Sequence, residues 1–365
     1  MRFTAWLVFH FAGIALILGG VGLSSLKALL AAAAVAASAS PHAQESAPAM
    51  AAARAALVAY AQKDVPGFAP ARERWRFAFP ADHALHPQHR TESWRLSGAL
   101  ASRAGRRFGF QLVFFRVGIT PPRVALGPST WAARDVYWAQ LRLTDAAANR
   151  HHDSEKLERA AMGLSGAQSS PARVWVHEWS VEAHDSASFT LRGAQDHAGL
   201  ELSLVAAKPP VTHTADTFHA YLVSRLRARG TVRIDGAALE VEGVAWLDRA
   251  WGQVPLPVGA VVWDRLLIQL DDGREVMGVR LRRRDGSADP TVSGLLVEGN
   301  GAARVLQAAD LAIDRVERRW RLRLPSENLE LYLDPYVGDS GAAAVSGTGA
   351  GHAYVELAAD AARLR

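Results

Sequence analysis

From about residue 75 to the C-terminus, apolar and polar residues alternate in short runs separated by Gly, Pro, Asp and Asn, a period of two that predicts β-strands joined by turns. Residues 94–100 and 107–115 read as a hairpin around 103–106. Further strands are expected at 137–143, 173–181, 189–192 and 200–206, and Lys208-Pro209-Pro210 closes this half. The pattern then restarts, with strands expected at 221–229, 230–234, 239–246, 261–270, 276–282, 294–297, 320–324, 329–333 and 353–357. Ile234-Asp235-Gly236, Asp271-Asp272-Gly273 and Arg284-Asp285-Gly286-Ser287 supply turns. Helical periodicity is confined to the Ala-rich stretch 45–65, ended by Pro66 and Pro70, with the polar stretch 153–162 the one other candidate helix. The expected fold is all-β: two consecutive antiparallel barrels, the first over 71–212 and the second over 213–365, with 46–70 as a linker or short helix.

Residues 1–45 have a different texture. Arg2 precedes an apolar run at 6–23, and Lys27 precedes a second at 28–37, followed by the small-residue stretches Ala37-Ser38-Ala39 and His42-Ala43-Gln44. A cleaved export signal and an N-terminal membrane anchor both fit, so a periplasmic or secreted location is expected, with membrane association through the N-terminus if the segment is retained. The chain has no cysteine, which excludes disulfides, thiolate metal sites, a Cys nucleophile and a lipoprotein anchor. Its net charge of +5 comes from Arg scattered along the strands, which favours solubility and affinity for anionic surfaces over a nucleic-acid domain.

Chemistry concentrates in residues 243–252, where Trp246, Asp248, Arg249 and Trp251 fall within six positions. Trp246 and Asp248 are two apart and so share a strand face, as do His219 and Tyr221. Glu92 and Trp94 are a second such pair. Trp175 and Trp179, four apart on one expected strand, are predicted to face the same side as core or cavity lining. His83, His86 and His89 recur every third residue beside Asp82, but in a Pro-interrupted loop that lacks the rigid convergence a zinc site needs; His151-His152-Asp153 has the same standing, and no metal is expected. There is no Gly-x-Ser-x-Gly elbow, phosphate-cradling Gly loop or dinucleotide fingerprint, so no cofactor is expected.

The sequence resembles the hydroxyneurosporene synthase and AttH-like family of lipocalin-like proteins. The resemblance rests on Phe79-Pro80-Ala81-Asp82-His83, His86-Pro87, Arg90-Thr91-Glu92-Ser93-Trp94, residues 109–116 and 141–145, Gly163-Leu164-Ser165-Gly166-Ala167, Trp175 to Trp179-Ser180, residues 243–252, Trp263-Asp264 and residues 269–275. It implies two packed lipocalin-like barrels with a ligand cavity. In the family's carotenoid hydratases water adds across a C=C bond, and the resemblance maps the proton donor onto Asp248, its aromatic partner onto Trp246, and a His-x-aromatic pair onto His219 and Tyr221. Glu92, Trp94, Trp175 and Trp251 are the expected ligand-binding residues. The chain departs from the family at Ser93, at Ala250 and in the Gly/Ala/Ser-rich region 338–351. The resulting expectation is an exported protein holding a hydrophobic small molecule at the barrel interface; the alternative is a cofactor-free hydratase or hydrolase using Asp248 on an apolar, isoprenoid-like substrate.

Overall fold

The computed structural model describes residues 47–61, 63–71, 74–214, 217–252, 260–283 and 288–357. The two N-terminal apolar runs lie outside the described residues. One helix, α1 (Ala47–Ala61), matches the Ala-rich stretch. Its last carbonyls are gathered by Arg90, which donates from Nη2 to the Tyr60 carbonyl (2.7 Å) and from Nη1 to the Ala61 carbonyl (2.8 Å), the cation placement a helix C-terminus favours.

Apart from two short 3-10 helices (Ala81–His83 and Pro325–Glu327), the remaining elements among the described residues are antiparallel strands in two sheets. The first contains β1 (Thr91–Ser102), β2 (Arg107–Gly118), β3 (Asp135–Asp145), β4 (Arg150–Arg159), β5 (Ser165–Ser169), β6 (Ala172–Val176), β7 (Trp179–Ala183), β8 (Ser188–Gln195), β9 (Ala198–Ala206), β10 (Val211–Thr214), β11 (Phe218–Ile234) and β12 (Ala237–Gly252). Its order is β4-β3-β2-β1-β12-β11-β9-β8-β7-β6-β5, with β10 added to β11. The β3–β4 edge comes back against β5 and β6, so the sheet curls into a nearly closed barrel. The second sheet holds β13 (Ala260–Leu270), β14 (Glu275–Arg283), β15 (Ala288–Val297), β16 (Ala303–Leu306), β17 (Ala312–Val316), β18 (Arg319–Leu324), β19 (Leu329–Pro335), β20 (Gly341–Gly347) and β21 (Gly351–Leu357), ordered β16-β15-β14-β13-β21-β20-β19-β18-β17 as a half-barrel.

The all-β expectation holds, with three adjustments. The second sheet is a half-barrel. The first sheet takes in residues 218–252, which the sequence pattern had assigned to the second unit, because β12 pairs with β1 along its length (Thr91 opposite Gly252, Ser102 opposite Val241). The polar stretch 153–162 is mostly strand β4: pairing with β3 supplies its backbone partners, and an ion pair from Arg54 of α1 to Glu155 covers its polar side chains.

Three apolar cores follow: inside the barrel, inside the half-barrel, and between the two sheets under α1. The sheets approach so closely at Gly109 that a Cβ there would stand 2.5 Å from the Cβ of Ala342 on β20, which explains glycine at a strand position that faces the second sheet. A β-bulge between Val223 and Leu226 of β11 turns Ser224 and Arg225 out of the ladder and toward the second sheet. There Arg225 Nε (2.5 Å), Ser224 Oγ (3.0 Å) and Lys208 Nζ (2.8 Å) all donate to the fully buried carboxylate of Glu275 on β14. Replacing Glu275 with Ala strands two buried or half-buried cations, and a loss of about 3 kcal/mol in urea-unfolding free energy is expected. A loss under about 1 kcal/mol would show that this cluster does not fasten the sheets together.

Candidate active site

The polar site lies at one end of the barrel and is built from the inward face of β1, β11 and β12 together with residues 74–90, which cross that end. In the latter segment Trp75, Phe77 and Phe79 alternate with exposed Arg74, Arg76 and Ala78, so three aromatic rings face the barrel mouth. Phe77 and Phe79 meet Tyr221 edge-on (ring centroids 6.5 and 4.9 Å), and Phe77 meets Trp251 at 5.7 Å. The Asp82 carboxylate fixes the segment's turn, accepting from the Ala78 backbone N–H (2.5 Å) and Trp75 Nε1 (3.1 Å). Burial pushes the Asp82 carboxyl up, but hydrogen bonds from His86, Ala78 and Trp75 outweigh it and hold it below the usual carboxylate range.

Glu92, fully buried on β1, is the centre of the polar network. Its carboxylate accepts from Arg249 Nη2 (2.7 Å), His86 Nδ1 (2.8 Å), Arg116 Nε (3.3 Å) and the His86 backbone N–H (3.2 Å). Burial pushes Glu92 up, but Arg249, His86 and Arg116 overcome this and hold it ionised, well below the usual range. His86 faces carboxylate oxygens with both ring nitrogens, Glu92 on one side and Asp82 on the other (3.2 Å). That ring lies flat on Trp251, centroids 3.8 Å apart and planes within 4°. The Arg249 guanidinium sits 4.0 Å from the Trp94 ring centroid.

Beside this network lies a narrow cavity lined by His83, Trp94, Tyr221, Leu247, Arg249 and Phe189, with the small side chains Ala172, Val181 and Ala183 opposite. Its volume of ≈ 10 Å³ gives room for about one water molecule. On its wall the His83 Nδ1 and the Tyr221 hydroxyl are 2.5 Å apart. The other nitrogen, Nε2, is 3.3 Å from the Ser186 carbonyl, which can only accept. Nε2 therefore carries the proton in the neutral ring, Nδ1 is bare, and Tyr221 donates to it. Burial, with Arg249 adding to it, lowers the His83 pKa to about 4, so the ring is neutral at physiological pH. Burial also raises the Tyr221 hydroxyl well above its ordinary range, partly offset by Arg249.

The structure brings five of the eight expected site residues together on one face, but not in the expected grouping. His219 and Tyr221 share the barrel-interior face, as their spacing predicts, and meet there Glu92, Trp94 and Trp251. Trp246 and Asp248 also share a face, but it is the opposite one. Trp246 packs in the core between the sheets, and Asp248 accepts from Arg265 Nη1 (2.6 Å) within a buried network that continues through Glu356 to Arg95. The parity of β12 separates them: Ala245, Leu247, Arg249 and Trp251 point into the barrel, Trp246, Asp248 and Ala250 away from it. The inter-sheet space expected to hold a ligand is occupied by packed side chains such as Phe115, Trp138, Trp246 and Tyr354. Trp175 and Trp179 do not share a side. A tight turn with His177 at φ 53° ends β6 and starts β7, leaving Trp175 half-exposed against Arg173, while Trp179 is buried in the barrel.

Sequence reasoning missed Arg116, noted Arg249 without giving it a role, and read His83 and His86 only as weak metal candidates. The available signal was an Arg two residues before Trp251 on a strand whose other inward positions are apolar. Near His219, the buried Nε2 of His89 and Nε1 of Trp251 have no protein partner among the described residues. His89 donates its Nδ1–H to the Ala69 carbonyl (3.1 Å), so Nε2 is a bare acceptor.

The fold and site together are those of an antiparallel lipocalin-like β-barrel with an aromatic-lined interior and buried acid–base groups. A family model described as AttH-like matches residues 70–360, and the chain belongs to that family. A search of curated proteins finds no match. Among solved structures, an AttH protein from Nitrosomonas europaea is 22% identical, covering 80% of this chain and 99% of that one with a TM-score of 0.66. Kievitone hydratase from Nectria haematococca is 12% identical, covering 80% and 97%, with a TM-score of 0.56. These likenesses show a shared fold.

The buried histidines set a pH dependence. His83, His89, His213 and His219 each have a pKa lowered to about 4, with burial the largest cause. Between about pH 6.5 and 4 the unfolded chain binds the protons that the folded one refuses, so stability is complete above about 6.5 and falls as pH drops. Urea midpoints should fall between about pH 7 and 5, by an amount corresponding to about 1–2 kcal/mol per histidine. Flat stability across that window would mean these rings protonate freely in the folded state.

Proposed function

We propose that this protein takes an apolar small molecule into the end of the first barrel and performs cofactor-free proton transfer on it, of the kind that adds or removes water at a carbon–carbon double bond. The observation that carries this reading is the hydrogen bond from Tyr221 to the bare Nδ1 of neutral His83, on the wall of a cavity with room for one water beside aromatic rings. In this reading the Tyr221 hydroxyl gives its proton to one alkene carbon, the water oxygen bonds to the second carbon as positive charge develops there, and the proton the water then releases returns to Tyr221 Oη by way of the bare Nδ1 of His83. Arg249, held by Glu92, stabilises negative charge developing on Tyr221. The ligand's apolar body packs against the half-exposed edges of Phe77 and Phe79.

The fold of kievitone hydratase, a hydratase by name, supports the same reaction class, and the sequence likeness to hydroxyneurosporene synthases supports an apolar, isoprenoid-like substrate. Export directed by the N-terminal apolar runs belongs to this reading. Asp248 is assigned no proton transfer in it, because its carboxylate lies on the far face of β12 from Tyr221. The test is incubation with a panel of isoprenoid and phenolic alkenes in isotopically labelled water, followed by mass spectrometry. Wild-type protein is expected to incorporate the label, Tyr221→Phe to lose turnover by about a hundredfold or more, and Asp248→Asn to keep it if folded. Full activity in Tyr221→Phe would overturn the assignment.

A further inference from the structure

Five large apolar side chains are strongly exposed among the described residues, and four of them cluster at one end of the barrel: Val124, Leu126, Trp131 and Met162. Three project from the long β2–β3 connection, residues 119–134, and Met162 from the neighbouring 160–164 turn, joined to it where Ala160 N–H donates to the Asp135 carbonyl (2.9 Å). Residues 122–131 are all exposed. The loop nonetheless has a built base: Arg134 Nη1 donates to the carbonyls of Pro121 (2.5 Å) and Val124 (3.1 Å), and the N–H groups of Ile119 and Thr120 return to the Arg134 carbonyl. It is a convex, fastened projection rather than a groove, so it presents no pocket for a protein side chain to fill.

Its charge is one-sided. Residues 119–134 and 160–164 contain no Asp or Glu, while Arg123 and Arg134 lie in the loop, and the Arg159 guanidinium stands 5.6 Å from the Trp131 ring centroid. An exposed indole and aliphatic tip ringed by arginines matches a lipid interface, where the ring settles at headgroup depth and arginines meet anionic headgroups. We infer that this end of the barrel docks on an anionic lipid bilayer, with Leu126 and Trp131 entering the interface. The loop starts one residue after Gly118, whose N–H donates to the Arg90 carbonyl (2.7 Å), two residues from Glu92. Docking therefore sets the barrel end that carries the histidine and aromatic cluster against the membrane. The inference stands on the surface alone and does not depend on the chemistry proposed above.

The chain has no cysteine, so single-site labelling of the full-length protein is clean. An environment-sensitive fluorophore is attached in Leu126→Cys and, as a control for tethering by the N-terminal segment, in Val205→Cys on the barrel's outer face. With phosphatidylcholine–phosphatidylglycerol vesicles carrying a lipid-borne quencher, the probe at 126 should shift to the blue and be quenched, and the probe at 205 should not. Arg123→Gln together with Arg159→Gln should weaken the 126 response, about fivefold per arginine in vesicle concentration. No response at 126, an equal response at both positions, or insensitivity to the arginine changes overturns the inference. So does a shift at 126 that appears without vesicles as protein concentration rises, since the loop would then bind a second copy.

Discussion

A carboxylate with no solvent exposure needs cations, and Glu92 has three donors from three different parts of the chain. Arg249 comes from β12, Arg116 from β2 and His86 from the segment that crosses the barrel mouth. Removing the carboxylate would leave buried guanidinium groups uncompensated, a change that typically costs several kcal/mol. Arg116 carries the constraint further, donating to Asp135 (2.7 Å) and to the carbonyls of His86 (3.1 Å) and His89 (2.6 Å). The mouth segment is thereby held against the barrel, and with it His83, Phe77 and Phe79. The Tyr221–His83 pair and the flat His86–Trp251 stack both depend on this one anion being in place.

The period-two pattern was enough to read the all-β class, most strands and the shared faces of Trp246 with Asp248 and of His219 with Tyr221, and the Ala-rich stretch ended by prolines marked α1. It could not say which face looks into the barrel, because a strand buried on both sides carries no polar side to mark the outside. β12 is such a strand from Ala245 to Gly252, with every residue buried. The acid of 243–252 thus went to the inter-sheet network with Arg265, and the acid that faces the barrel is Glu92. Two local irregularities also hid from a period of two. The bulge in β11 reverses its parity, so that Tyr221 and Val223 but then Leu226 and Ala228 face inward. The turn at His177 splits Trp175 from Trp179.

The histidines at 83, 86 and 89 were legible as a cluster but not as a site. Their partners lie far off in sequence, Tyr221 being 138 residues from His83. Their roles separate only in the fold: His86 sits between two carboxylates, His83 pairs with a phenol, and His89 leaves a bare nitrogen beside His219. The +5 charge, read from sequence as scattered arginine, likewise resolves by position, some of it holding buried carboxylates and some ringing the exposed tip of the barrel.

The central claim is that small molecules are handled inside the barrel and not between the sheets. Native mass spectrometry of protein purified from its host tests it most directly. Wild-type protein and Trp246→Leu, altered on the inter-sheet face, should carry the same apolar adduct, and Ala183→Phe, which fills the cavity beside Tyr221, should lose it while remaining folded by circular dichroism. An adduct that persists in Ala183→Phe and disappears in Trp246→Leu would place the ligand between the sheets and contradict the account.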